Sequence, residues 1–250
     1  MTPPIEINGQ TVSDVVVNGQ SVDQVTANGQ EILSPLPVTG GLRSNYDATT
    51  LSNTSGESPD NWPDIESGID LPSEGSPIYE PDLINGNAGV FFDGVDDRFF
   101  RGDLDSKMRS RTEFLVAEYL GGRNIAAHRG GTTAIIWRAE GDDIQIRTED
   151  GTSVEPALPY SSETMLLAVV IDGTGDDIEV STRLDGSETE TATLSTDSEF
   201  EVARRSIGDD AAGRFGECNV GEWVIYHRAL NNDEITDVES HLADKWDIGI

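Results

Sequence analysis

The sequence predicts an all-β domain, a sandwich or barrel, with a run of small hairpins before it and one helix after it. Three observations carry that reading. Asn-Gly-Gln recurs at Asn8, Asn18 and Asn28, each time ten residues on. From Leu42 onward, short apolar or alternating runs are separated by glycine and aspartate turns. Only the C-terminal stretch carries helical periodicity.

The repeats come first. Asn-Gly is the strongest short hairpin signal, because both residues tolerate the positive φ angles of a type I′ turn. With the turns placed there, Ile5 pairs with Val12, Val15 with Val22, Val17 with Gln20 and Val25 with Ile32. Each unit then shows one apolar face: Ile5, Ile7 and Val12; Val15, Val17 and Val22; Val25, Ala27 and Ile32. Strands of about three to five residues cannot hold a hairpin alone in water, so that face needs a cover. Other copies of the segment or a partner protein would supply it, which makes 1–34 an anchoring or oligomerisation segment. The alternative is a plain extension of the main sandwich. "SPLPVTGG" (34–41) breaks the pattern with prolines and glycines, and 35–41 is expected to be a linker.

The main domain is expected over 42–250. Its runs include "GVFF" (89–92), "TEFLVAEY" (112–119), "TTAIIWRAE" (132–140), "DIQIRTE" (143–149), "MLLAVVID" (165–172), "DIEVSTRLDG" (177–186) and "GEWVIYHRAL" (221–230). "MLLAVVI" (165–171) is the longest apolar stretch and reads as a buried strand. In "NNDEITDVESHLADKW" Asn231 or Asn232 can cap a helix, with Asp233 and Glu234 in its first turn and Lys245 in its last. Ile235, Val238, Leu242 and Trp246 share one face of that helix.

Composition narrows the partners. The chain of 250 residues has 47 acidic and 16 basic residues, a net charge of -31, and only Lys107 and Lys245 are lysines. That field repels nucleic acid and anionic membranes, so neither is an expected partner. A dense carboxylate surface with almost no lysine fits life in concentrated salt, where the Debye length falls to about 3 Å and self-repulsion is screened. The lone Cys218 excludes an intrachain disulfide and reads as a small buried residue. No basic stretch with an apolar core opens the chain, so no signal peptide is expected.

Four stretches in order resemble a known family: "YDATTLS" (46–52), "SPDNWPD" (58–64), "FFDGVDD" (91–97) and "GEWVIYHRALNNDEITDVESHLADKW" (221–246). They are similar to the marks of laminin-G-like, concanavalin-A-like lectin/glucanase domains. The resemblance covers about 42–250, and within 100–215 it rests only on strand rhythm. It implies a concanavalin-A-like jelly-roll sandwich of two antiparallel sheets, a fold used mainly to bind glycans, proteins or scaffold partners.

An enzyme of this fold would usually cleave glycosides, which needs two carboxylates facing the scissile bond. Retaining members carry them on one strand as Glu-x-Asp-x-x-Glu. "EGDDIQ" (140–145) starts that pattern but places Gln145 at its last acid, so no catalytic residues are expected and the chain reads as no enzyme. His128, His227 and His241 lack metal-ligand spacing and read as surface or helix-face residues. Calcium is the one cofactor with a candidate site, at Asp93, Asp96 and Asp97 in "DGVDD", although the ligand set of a full loop is incomplete. For glycan binding the candidates are Trp62 and Tyr79, aromatics in Pro-rich loops, with Tyr160 in a similar setting. Trp137, Trp223 and Trp246 read as core.

Asn-Gly-rich β repeats also resemble the starts of phage and virus structural proteins. Together with the charge, this gives the expectation of a virion surface protein of a virus infecting salt-loving archaea: a capsid decoration, turret or tail-fibre domain. Its partners would be itself, as a trimer or pentamer, other virion proteins, and a host-surface glycan or S-layer protein. The alternative is an extracellular halophilic adhesin or carbohydrate-binding module.

Overall fold

A computed structural model describes residues 36–104 and 106–250 in full. Of the N-terminal segment it describes the backbone of 5–7, 10–12, 16–17, 20–21, 25–27 and 30–33. Those pieces pair as three separate two-stranded antiparallel sheets, one per repeat. Ile5 faces Val12, Val17 faces Gln20 and Ala27 faces Gln30, as the turn geometry requires. The third unit departs from expectation: the register shifts after Val25, which faces Leu33 instead of Ile32. One extra residue on the second strand, a bulge, produces that slip. Ile7 lies in a strand of the first unit and Ile32 in a strand of the third. Val15, Val22 and the Asn-Gly turns themselves lie outside the described residues, as do the side chains that would form the apolar faces.

The main domain is two eight-stranded antiparallel sheets packed face to face, with one helix on the outer side of the first. This is the β-sandwich of the jelly-roll kind. The first sheet runs Ile78–Ile84, Asn87–Asp93, Gly216–Tyr226, Arg111–Gly122, Met165–Asp172, Ile178–Leu184 and Ser187–Leu194. Its central strand Gly216–Tyr226 pairs along one side with two strands end to end: Asn87–Asp93 beside its first half and Leu42–Asp47 beside its second. The second sheet runs Ser153–Val154, Asp143–Arg147, Thr133–Arg138, Ala126–Gly130, Arg204–Ile207, Arg98–Arg101, Leu71–Glu74 and Asn61–Trp62.

The unbroken apolar run 165–171 is explained by these layers. Met165, Leu167, Val169 and Ile171 enter the core between the sheets, whereas Leu166, Ala168 and Val170 face the helix. Alternation is hidden in the sequence because both faces are dry. The helix, Asn232–Trp246, starts at Asn231 with a complete capping box: Asn231 accepts from the Glu234 amide and Glu234 from the Asn231 amide, each at 3.0 Å. Ile235, Val238, Leu242 and Trp246 are all buried against the sheet. Trp246 lies so close to the central strand that a Cβ on Gly221 would meet its ring at 2.6 Å, so only glycine fits there. The residue is the extra one of a bulge, since Val116 faces Glu222 and Ala117 faces Val220. Lys245 then ties the helix end down, 2.7 Å from both Asp47 and Glu222. Leu36 and Val38, within the expected linker 35–41, are buried in the same helix-side cluster, and Tyr226 donates to the Val38 carbonyl. Among the described residues no helix is long and apolar enough to cross a membrane.

Candidate functional site: an arginine-lined cleft at one end of the sandwich

A cleft of about 290 Å³ opens where three connections meet at one end of the sheets. Arg123 and Asn124 come from the turn that leaves strand Arg111–Gly122. Arg138, Glu140, Gly141 and Gln145 come from the neighbouring hairpin, whose strands Thr133–Arg138 and Asp143–Arg147 are joined through the single 3-10 turn Ala139–Gly141. Arg214 comes from the loop before strand Gly216–Tyr226. Backbone bonds fix these pieces to one another: Arg123 N donates to Phe215 O at 2.9 Å, and Glu140 N to Arg123 O at 3.0 Å. Asn124, itself buried, donates from Nδ2 to the Arg214 carbonyl at 3.1 Å.

Carboxylates behind the cleft hold two of the guanidiniums. Arg138 reaches Glu155 at 2.8 Å through Nη1 and Asp143 at 3.3 Å through Nε. Arg214 donates from Nε to Asp210 at 2.6 Å, and Arg129 grips the same carboxylate at 2.6 Å. Burial alone would raise the Asp210 pKa, but its bonds to Arg214 and the charge of Arg129 outweigh it and hold the group ionised. Arg123 is looser, 3.4 Å from Glu140, with both side chains more than half exposed. Gln145 donates to Glu155 at 2.6 Å, which leaves its carbonyl oxygen as an acceptor. The site thus offers rigid cationic donors on two walls and amide and carboxylate acceptors between them.

Between the sheets lies a second charged cluster with a structural role. Glu113 and Arg111 point inward from one strand, His128 and Arg205 from the facing sheet, and all four are buried. Arg111 Nε pairs with Glu113, whose other oxygen accepts from Trp223 Nε1 at 3.0 Å and Trp137 Nε1 at 3.4 Å. Arg111 Nη2 lies 2.8 Å from His128 Nε2, which is also 3.3 Å from the Glu113 carboxylate. Burial, then the Arg111 charge, push His128 down to about 3, while Arg111 and His128 hold Glu113 well below the carboxylate range in spite of burial. Arg205 bonds to Ser44 Oγ and the Tyr46 hydroxyl at 2.7 and 2.6 Å. The surface role expected for His128 is thereby corrected: it stacks on Trp223, ring centroids 4.6 Å apart, inside the core.

The residues singled out in the sequence are placed as follows. Trp62 is fully buried, edge-on to Phe99 at 5.4 Å, and Tyr79 is only 7% exposed. Stacking a sugar needs an open ring face, and neither residue has one. Asp93, Asp96 and Asp97 do come together, with carboxylate oxygens within 4.8 Å of one another. Their oxygens serve the turn, however. Asp97 accepts from the Ser76 and Asp93 amides at 2.5 and 3.1 Å, and Asp93 from the Val95 amide at 2.8 Å. A calcium ion would need six or more oxygens, so these three supply part of such a set. "EGDDIQ" reached the cleft for another reason: Glu140 and Gln145 both line it, but across a turn, not along one strand. Arg123, Asn124, Arg138 and Arg214 were missed, since they are far apart in sequence.

No protein-family model matches the chain, and a search of curated proteins finds no match. Solved structures are similar in fold. The receptor binding domain of a botulinum neurotoxin C/D mosaic serotype aligns with a TM-score of 0.59 at 9% identity, over 81% of this chain and 51% of that one. Trypanosoma rangeli sialidase in complex with sialic acid aligns with a TM-score of 0.56 at 14% identity, over 90% of this chain and 36% of that one. Domain 4 of an extracellular arabinanase from Geobacillus stearothermophilus, in complex with arabinotriose, aligns with a TM-score of 0.50 at 14% identity, over 79% of this chain and 98% of that domain. The chain therefore spans about half the length of the toxin binding domains and about a third of the sialidase. At these identities the likeness establishes the jelly-roll sandwich, consistent with a concanavalin-like fold.

Proposed function

We propose that this chain is a non-enzymatic binding domain displayed on the surface of a virion infecting salt-loving archaea, as a capsid decoration, turret or tail-fibre domain. Residues 1–34 attach it to the particle or to copies of itself, and the sandwich meets the host surface, a glycan or S-layer protein.

One observation carries the display geometry. On strand Gly216–Tyr226 the chain enters the sandwich beside one end, where Leu42 faces Tyr226. The cleft lies at the other end, where Gly122 faces Gly216 between Arg123 and Arg214. Eleven strand residues separate the two ends by about 33 Å. Tethering the N-terminal segment therefore turns the cleft outward. The fold shared with a toxin receptor binding domain and with an arabinanase domain solved with a sugar supports the binding role. The -31 charge supports the saline setting.

Mass spectrometry of purified virions should find the chain at fixed copy number, and light scattering should show a smaller oligomer once 1–34 is removed. Absence from virions would overturn the viral reading. It would favour an extracellular halophilic adhesin or carbohydrate-binding module, the alternative that the alignment over 98% of the arabinanase domain supports.

A further inference from the structure

The cleft's chemistry defines its ligand more narrowly, and this step rests on the binding role proposed above. We propose that the cleft recognises one anionic sugar unit, a hexuronate or a sulfated hexose, through Arg123, Arg138 and Arg214.

The charge distribution is the first argument. A chain of net charge -31 has sixteen basic residues, and three of them line one small cleft together with Glu140, with the Asp143 carboxylate standing beside its Gly141 wall. Each guanidinium already faces a carboxylate, Arg123 that of Glu140, Arg138 those of Asp143 and Glu155, and Arg214 that of Asp210, so an anion would be held by the donors those pairs leave over. The carboxylates behind Arg138 and Arg214 keep the planar forks oriented rather than filling the cleft. They engage Nη1 and Nε of Arg138, while its Nη2 stands 3.2 Å from where a Cβ on Gly141 would be, beside Asp143 Oδ2 at 2.7 Å from the same point. Arg123, held only by its 3.4 Å pair with Glu140, can swing onto an incoming anion.

Size and wall chemistry make the anion a sugar. At about 290 Å³ the hollow sits at the lower end of small-molecule pockets, near 300 Å³, which suits one ring. Glu140 and the Gln145 carbonyl oxygen accept hydroxyl protons. Salt strengthens the argument for arginine. At a Debye length of about 3 Å, attraction survives only at contact, where a bidentate guanidinium holds a carboxylate or sulfate better than a lysine does.

The test is calorimetric titration of the full chain in molar potassium chloride with glucuronate, glucose 6-sulfate, glucose and triglutamate, beside its binding to intact host cells. At least one anionic sugar should saturate the protein, with glucose about tenfold weaker or more. Comparing glucuronate with glucose 6-sulfate tells carboxylate from sulfate. Arg123→Gln, at a site whose side chain is 55% exposed, should weaken the anionic sugar about tenfold without altering the circular dichroism spectrum. Gly141→Ala, whose Cβ would stand 2.7 Å from Asp143 Oδ2 and 3.2 Å from Arg138 Nη2 and so displaces that pair, should weaken every sugar. Glucose binding equally, with Arg123→Gln neutral, would overturn the anionic assignment and leave the binding role intact. Preference for triglutamate would replace the sugar with an acidic peptide. Host-cell binding unaffected by Arg123→Gln, with no probe bound, would overturn the cleft alone; no binding to cells or probes would remove both readings.

Discussion

Lowering the pH from 7 to 5 is expected to weaken the fold through His128, whose imidazole is enclosed between the sheets beside Arg111, Glu113, Arg205 and Trp223. Its folded pKa is pushed down to about 3, against about 6.5 in an unfolded chain. Between those values the unfolded state binds a proton that the folded state refuses. The contribution is therefore complete above pH 6.5 and is lost as pH falls towards 3. At about 1.4 kcal/mol per unit, the loss by pH 5 is about 2 kcal/mol. His227, also held near 3 by burial and then by Arg111, Arg43 and Arg205, adds in the same direction but is only partly buried. Glu113 is held low, so its contribution is lost only below the ordinary carboxylate range, and pH 5 lies above that. Glu222, raised by burial, titrates in the opposite sense. Urea unfolding followed by tryptophan fluorescence in molar salt, compared with His128→Gln, cancels the groups that do not touch His128. The wild type should lose about 2 kcal/mol more than the variant between pH 7 and 5. Equal losses in both would refute the reasoning.

Trp62→Ala should cost about 3–5 kcal/mol by chemical denaturation, because it empties a fully buried site, yet leave host-cell binding per folded molecule unchanged. Lys245→Met should cost about 3–5 kcal/mol, since it leaves the Asp47 and Glu222 carboxylates facing each other without a cation; adding Glu222→Gln should recover part of the loss in the same assay. Asn231→Ala, which removes the cap of the helix, should cost about 1 kcal/mol and lower the thermal midpoint accordingly. Millimolar calcium should leave that midpoint unchanged, because Asp97 already spends both oxygens on backbone amides; a rise abolished by Asp93→Asn would establish a calcium site.

What could be read in the sequence follows from how each element is encoded. Strand runs and the helix are local patterns, so the sandwich and the buried face of Ile235, Val238, Leu242 and Trp246 were legible. Trp62 misled because prolines and aspartates around it signal a loop, and a loop backbone can still turn a side chain into the core. The buried ionic cluster left a faint mark: Arg111 and Glu113 have the same parity as Leu115 and Ala117, which places all four on one face of the strand. Residue type argued against that placement, since Arg and Glu are rarely buried unpaired, and their partner His128 comes from the opposite sheet. The cleft is assembled from 123–124, 138–145 and 214, so no spacing rule could join its walls. Composition held the usable signal. Where acids are everywhere an acidic cluster carries little information, as the Asp93, Asp96 and Asp97 turn shows. Arginines are scarce here, and Arg98, Arg111, Arg129, Arg183 and Arg228 are used up in ion pairs that brace the fold. The convergence of Arg123, Arg138 and Arg214 on one hollow is therefore the less expected arrangement. A loosely paired, exposed one such as Arg123 is where selection for structure alone gives the weakest account.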